Sequence, residues 1–393
     1  MSDMTTPSRR RLRVTIIARH YPPEISGGAR RPYLLAQGLR AIGHRVSVVS
    51  PQSVLNHEDD NFVPHPIALN TPKASETHMS SESHFRAWLR TWLLWPDPDI
   101  RWAKRVQATL KSDFQSDVIL TTSPPESSHA IGYKLRRENT IWIAEMRDGW
   151  VENPLRDILL RSRVRRSIEK RLARFWLKKA QGIIAVSGAI SEEAQRHTRN
   201  IPVKFIGHFA DTVSSPEFFS GEGPHFLHTG RFSLSHPDRK LSSVLAQFEK
   251  VALSFPPDAK LHLIGELSPE EKTSIAKHPC SAKIVNHGQT PMALTRRLQA
   301  GADVLVLSQH EGSTSIPGKY AEYIAAKRPI AIVGEGPWRD TLQNGPIVPL
   351  KDITPKMLGV LAKKAVNLPD ANISYEAVIN EYVDFFLTVI DQQ

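Results

Sequence analysis

The chain has 393 residues, 40% hydrophobic and 23% charged, with a formal net charge of +11. That length exceeds one ordinary core, so two domains are the default, and the composition is globular rather than disordered. A lone cysteine, Cys280, excludes an internal disulfide and a cysteine-based zinc site, and it suits a reducing cytoplasm.

No apolar run reaches the roughly 18 residues that a membrane-spanning helix needs. The opening MSDMTTPSRRRLRV lacks the apolar stretch of a signal peptide, so a cytoplasmic protein is expected. The excess positive charge calls for an acidic partner, and nucleotides, nucleic acid and lipid headgroups all qualify.

Short apolar runs alternate with amphipathic stretches, the pattern of parallel sheets with helices on both faces. Val14–Ala18 is the first expected strand. A helix follows from about Ala29, with Leu34, Leu35, Leu39 and Ile42 on one side and Gly43 closing it. At the corner between them, Gly27 and Gly28 let backbone approach a ligand at a helix N-terminus, although a plain tight turn uses two glycines equally well. Arg45–Val49, Val118–Thr122, Ile141–Ala144 and Gly182–Val186 are further strands.

Residues 52–96 give no clear element. Trp88, Trp92 and Trp95 fall at helical spacing, either as a core face or as an exposed aromatic face. Asp97-Pro98-Asp99 mimics a metal-binding pair of aspartates, but it sits in a proline bend and is read as a turn with Asp99 near a helix cap. Thr122-Ser123-Pro124-Pro125 and Glu145-Met146-Arg147-Asp148 occupy later corners. Asp148 is a candidate for orienting an acceptor hydroxyl, Arg147 for holding an anion, and His129 for facing the ligand. A mutual Arg147–Asp148 ion pair is the bland alternative.

From Arg156 to Lys179 the chain holds ten Lys or Arg against two acidic residues, interleaved with Val164, Ile168, Leu172, Phe175 and Trp176. A basic amphipathic helix of this kind suits an anionic membrane surface. Its apolar side joining the core is the competing reading.

After Val203–Ile206, the polar stretch through residues 208–224 is read as a linker between a first domain at 12–207 and a second at 225–372. The second repeats the first pattern, with strands at Phe226–Thr229, Leu261–Ile264, Lys283–Val285, Val304–Leu307 and Ile330–Val333. Thr290 is expected as a helix N-cap with Pro291 at the first helical position. Residues 373–393 form a final amphipathic helix, expected to pack back on the first domain.

Two corners of this second domain carry charge. Gly230-Arg231 ends a strand, and Lys319 and Glu322 share one face of a helix starting near Pro317. An arginine, a lysine and a carboxylate at strand ends suit a diphosphate attached to a ribose, whereas an ordinary surface ion pair is the plain alternative. No dinucleotide fingerprint follows the first strand. Gly312 and Gly318 are also one residue too far apart for a phosphate-binding P-loop.

Together these segments resemble the retaining GT-B glycosyltransferases of the family 4 type. The first half does so through YPPEISGGARRPYLLAQGLRAIGHRVSVVSP, TTSPPESSHAIGYKLRR, IAEMRDGW and AQGIIAVSGAISEE. The second does so through HTGRF, LHLIGE, VNHGQT, ADVLVL and PGKYAEYIAAKRPIAIVGEG. The resemblance implies an α/β GT-B fold, two Rossmann-like domains with a cleft between them. It implies transfer of a sugar from a nucleoside diphosphate with retention, without cofactor or metal, to a lipid-linked or saccharide acceptor. Cell-surface polysaccharide, lipopolysaccharide or glycolipid synthesis at the cytoplasmic face of a membrane is the implied setting.

By the same resemblance, Arg231 and a basic partner, Lys240 or Arg239, neutralise the leaving diphosphate. Glu322 takes the ribose hydroxyls, while Gly27, Gly28, Gly230, Gly265, Glu311 and Lys319 complete the donor contacts. The chain departs from the family at Thr314, where a first glutamate is usual, with Glu311 nearby but out of register. A GT-B sugar-nucleotide epimerase, or a non-catalytic sugar-nucleotide or nucleic-acid binding protein, stands as the alternative, nucleic acid being the least favoured partner.

Overall fold

Two parallel sheets, each of six strands among the described residues, organise the chain. The computed structural model describes residues 10–24, 27–51, 94–110, 115–152, 162–211, 213, 215–235, 238–309, 317–334, 346–367 and 374–393. Trp88, Trp92, Glu311, Gly312, Thr314 and Arg156 lie outside them.

The first half runs β1 (Arg13–Ala18), α1 (Gly27–Ala41), β2 (Arg45–Val49), α2 (Ile100–Thr109), β3 (Val118–Ser123), α3 (Ser127–Leu135), β4 (Ile141–Met146), α4 (Arg163–Leu177), β5 (Gly182–Ala185), α5 (Gly188–His197) and β6 (Val203–Phe205). Its sheet order is β2-β1-β3-β4-β5-β6, with Ile16 beside both Val48 and Leu120. Every residue of β3 and β4 is buried. Helices cover both faces of a parallel sheet, so its strands are apolar almost throughout and not alternating.

The second half runs β7 (His225–Thr229), α6 (Leu241–Ala252), β8 (Lys260–Ile264), α7 (Pro269–Ala276), β9 (Ile284–Gly288), α8 (Met292–Gly301), β10 (Val304–Ser308), α9 (Gly318–Ala325), β11 (Ile330–Val333), β12 (Ile347–Pro349), α10 (Pro355–Val366) and α11 (Tyr375–Asp391). The order β12-β11-β10-β7-β8-β9 puts a topological switch between β7 and β10. Phe226, Phe248, Leu261 and Val306 fill one side of this sheet. Leu227, Leu305, Tyr323 and Ile332 fill the other.

The chain divides into two units. One holds residues 1–207 and 378–393, and the other holds 208–377, so the stretch expected as a linker lies inside the second unit. The end of α11 is tied into the first unit by a buried cluster. Arg31 donates to Glu145 at 2.9 Å, to the Ile206 and Gly207 carbonyls, and to the Tyr382 hydroxyl at 2.7 Å. Tyr382 in turn donates to Glu145, which also accepts from Thr122 at 2.6 Å. Burial opposes ionisation of Glu145, but Arg31 first, then Thr122, Tyr382 and Arg147, hold its carboxyl below the usual range.

Two local expectations change, and β12 is a strand beyond those expected. Helix α8 starts one residue late, at Met292, with Pro291 as its N-cap. β12 is only three residues long and ends in Pro349, too short to show a pattern. In α4 the basic helix turns the opposite way from its apolar spacing. Arg165, Glu169, Ala173, Trp176 and Leu177 are buried, whereas Val164, Ile168 and Phe175 are 63%, 40% and 57% exposed. The buried ion pair is tolerated because it is fully engaged. Arg165 donates to Glu169 and to the Pro96 carbonyl, both at 2.8 Å, and stacks over Trp95.

Candidate active site

A constellation of charged and polar groups lies at the carboxyl ends of β7 and β10, where open parallel sheets collect ligands. Gly230 follows β7 directly, and its φ of +113° favours glycine. A Cβ there would lie 1.5 Å from Lys319 Nζ, so the lysine lies directly over the bare Cα. Next to it, Gly265 has φ +141°, and a Cβ would meet the Gly230 carbonyl oxygen at 2.4 Å. Two glycines thus leave room at adjoining strand ends for an amine to lie along the backbone.

Helix α9 brings Lys319 there. Pro317 is its N-cap and Gly318 its first residue. The helix is locked to β7 through Tyr323 in its second turn. The Tyr323 hydroxyl accepts from the Thr229 backbone at 3.0 Å, and Gln299 donates to both Thr229 Oγ1 and Glu322 Oε2 at 3.0 Å. Glu322 is therefore buried and oriented from α8. Sequence spacing pairs Glu322 with Lys319 but says nothing of Gln299.

Arg231 follows Gly230 and pairs with Glu266 at 3.0 Å, both side chains about half exposed (43% and 50%). Such an exposed pair is worth under about 1 kcal/mol, so Glu266 holds Arg231 only weakly. The loop bearing Arg231 is fastened by Glu271, which accepts from the Ser233 backbone at 2.9 Å and hydroxyl at 2.7 Å while closing a capping box with Ser268.

Of the two candidate basic partners, Arg239 is the one in electrostatic reach of Lys319. Lys240 is the exposed N-cap residue of α6, whereas Arg239 donates to Gln309 at the end of β10. Burial first, then Arg239 and Arg231, pull the Lys319 ammonium down to about 8 against the opposing effect of Glu322. Cations that suppress one another's charge are stabilised together by an anion. His228, one residue inside β7, is also missed by sequence reasoning. It donates through Nδ1 to the Val306 carbonyl and stacks on Phe232, and burial, then Lys319, hold it neutral with a pKa of about 3.

In the first unit, α1 starts two residues earlier than expected, so Gly27 and Gly28 form its first turn. An ideal Cβ on Gly28 would lie 3.3 Å from His20, whereas Gly27 has open space. Arg147 is not available to an anion. It is buried and donates to the carbonyls of Ser123, Gly28 and Pro124, so it pins three corners together. Asp148 beside it is half-buried. His129, expected to face a ligand, is fully buried, shares a 2.8 Å hydrogen bond with Thr121 and packs on Trp150. Burial holds its pKa near about 3. It is a neutral packing group. Asp97 and Asp99 are likewise structural: Asp97 accepts from the Ser127 backbone at the start of α3, and Asp99 accepts from Arg19.

Residues 26–207 match the model of the glycosyl transferase 4-like domain. No curated protein sequence matches the chain. Among solved structures, HepE (Alr3699) of Anabaena, crystallised with UDP and glucose, aligns with a TM-score of 0.57 at 12% identity, over 96% of this chain and 100% of its own. AviGT4, a glycosyltransferase involved in avilamycin A biosynthesis, aligns with a TM-score of 0.52 at 14% identity, over 97% and 99%. The N-terminal domain of the Candida albicans trehalose-6-phosphate phosphatase aligns with a TM-score of 0.56 at 11% identity, over 96% and 97%. At such identities the likeness is one of fold, and that fold is GT-B. The glycosyl transferase 4-like match ends at residue 207, where the first stretch of the first unit also ends.

Proposed function

We propose that the chain transfers a sugar from a nucleoside-diphosphate donor to a lipid-linked or saccharide acceptor, with retention at the anomeric carbon, in the synthesis of cell-surface polysaccharide or glycolipid. The observation that carries this reading is the placement of Lys319 over Gly230, with Arg231 and Arg239 in electrostatic reach. Cations held where charge develops are the largest single aid to departure of a leaving group. Here they meet the diphosphate as its bond to the anomeric carbon breaks. Glu322, already oriented by Gln299, accepts from the ribose hydroxyls.

Under retention the acceptor hydroxyl arrives on the face that the diphosphate leaves. Its oxygen bonds to the anomeric carbon, and its proton passes to the departing phosphate oxygen. Within the first unit, Asp148 is the candidate for holding an acceptor hydroxyl. The glycosyl transferase 4-like domain and the UDP and glucose bound by HepE support this choice of substrates over an epimerase.

A thermal-shift screen with UDP-, GDP- and dTDP-sugars tests it, because a ligand at 100 times its Kd stabilises by about 2.7 kcal/mol. One nucleotide should stand out, and its sugar should move to an acceptor or to water. Absence of stabilisation by any nucleoside diphosphate would overturn the reading.

A further inference from the structure

We infer that α4 is a docking surface for an anionic phospholipid bilayer. The helix buries its acid and shows both basic and apolar side chains. Its one carboxylate, Glu169, is fully buried beneath Arg165, while Arg163, Arg166, Lys170, Arg171 and Arg174 are exposed with no acidic residue among them. Val164, Ile168 and Phe175 stand exposed on the same helix. At about 100° per residue, these three lie within roughly 40° of arc, and Arg163, Lys170, Arg171 and Arg174 cover the neighbouring 100° or so.

Stability of the isolated unit does not explain this arrangement. Basic residues in the first turn, with no acid to balance them, oppose the helix dipole. Exposed Val, Ile and Phe give up burial that the helix could have had by turning. An apolar stripe beside a basic one suits an interface of acyl chains beneath anionic headgroups. The basic side also continues into a groove against α5, lined by Lys170, Arg174, Arg196 and Arg199 with Glu192 and Gln195. Nucleic acid would use the arginines but has no use for Val164 and Ile168, so the apolar stripe decides between the two.

The inference rests on the proposed transfer only for its purpose, which is to bring the enzyme to a lipid-linked acceptor. Its test uses no donor. Full-length protein is sedimented with vesicles of phosphatidylcholine alone and of phosphatidylcholine with phosphatidylglycerol. Binding is expected only to the anionic vesicles, and it should fall with added salt. Arg163→Gln/Lys170→Gln/Arg171→Gln should lower partitioning about a hundredfold. Val164→Ser/Ile168→Ser should lower it at least about tenfold with all charges kept, and Val164→Ser alone serves if the pair fails to fold.

Failure of the wild type to bind anionic vesicles at low salt overturns the inference. So does wild-type binding by a folded apolar variant, or tighter binding to a single-stranded oligonucleotide than to vesicles. Transfer to a soluble acceptor by the same variants should be unchanged, which keeps this failure separate from failure of the catalytic reading.

Discussion

Lys319 Nζ occupies the space a side chain on Gly230 would need: a Cβ at residue 230 would lie 1.5 Å from it. The two residues are far apart in sequence, and the end of β7 and the start of α9 meet only because β7 and β10 are neighbours in the sheet. Gly230→Ala should therefore do two things. The φ of +113° makes an alanine strained by about 1–3 kcal/mol, and the methyl group drives Lys319 off the site. Calorimetric titration of a nucleoside diphosphate should show at least about tenfold weaker binding. Unchanged affinity in a folded variant would mean that Lys319 does not meet the ligand.

The depressed pKa of Lys319 gives a pH test with two opposite signs. Its ammonium is charged below about 8 and increasingly neutral above, so diphosphate affinity should fall as pH rises through 8. Folding stability should move the other way. The unfolded lysine keeps its proton up to about 10.4, so between 8 and that value the unfolded state binds more protons and stability rises with pH. Lys319→Arg should remove the pH dependence of affinity. An affinity flat between pH 7 and 9.5 in the wild type would refute the assignment.

Arg231 and Lys240 should behave differently. Arg231→Ala should lower kcat on the order of a hundredfold, as loss of a charge-stabilising group does, with little change in Tm because its pair with Glu266 is exposed. Lys240→Ala should leave turnover nearly intact, and Arg239→Ala should resemble Arg231→Ala. Steady-state kinetics on the three variants decide which basic partner the site uses.

Glu322→Gln tests ribose recognition. Gln299 donates to Glu322 Oε2 at 3.0 Å, and a glutamine carbonyl can still accept that bond, so the fold should hold. The lost charge should weaken nucleoside diphosphate binding by about 1.5–3 kcal/mol. Equal affinities in wild type and variant would leave Glu322 as a packing residue of α9.

The Arg31–Glu145–Tyr382 cluster governs stability instead of chemistry. Glu145→Leu would strand a buried guanidinium, an imbalance that costs about 3–5 kcal/mol. Tyr382→Phe removes one hydrogen-bonding member and should cost about 1–3 kcal/mol. Urea unfolding measures both. A loss below about 1 kcal/mol for Glu145→Leu would show that the cluster is not closed in solution.

The strands and their glycine corners were legible in the sequence because a covered parallel sheet needs unbroken apolar runs, and runs such as Val304–Leu307 and Ile330–Val333 meet that need without reference to the rest of the chain. So was the placement of Lys319 and Glu322 on one face of α9, which follows from helical spacing alone. Which neighbour each side chain meets was not. Arg239 and Lys240 are adjacent, and only the path of the chain into α6 turns one towards Gln309 and leaves the other outside. The apolar spacing of α4 is real, yet Trp95, Pro96 and Trp150 take up its other face, so Arg165 and Glu169 go in and Ile168 stays out. His129 is a ligand-facing candidate by its place in the sequence and a core histidine once Thr121 and Trp150 close around it. Periodicity acts within one element, whereas burial and charge pairing are set by whatever packs against it, and only the tertiary structure brings those partners together.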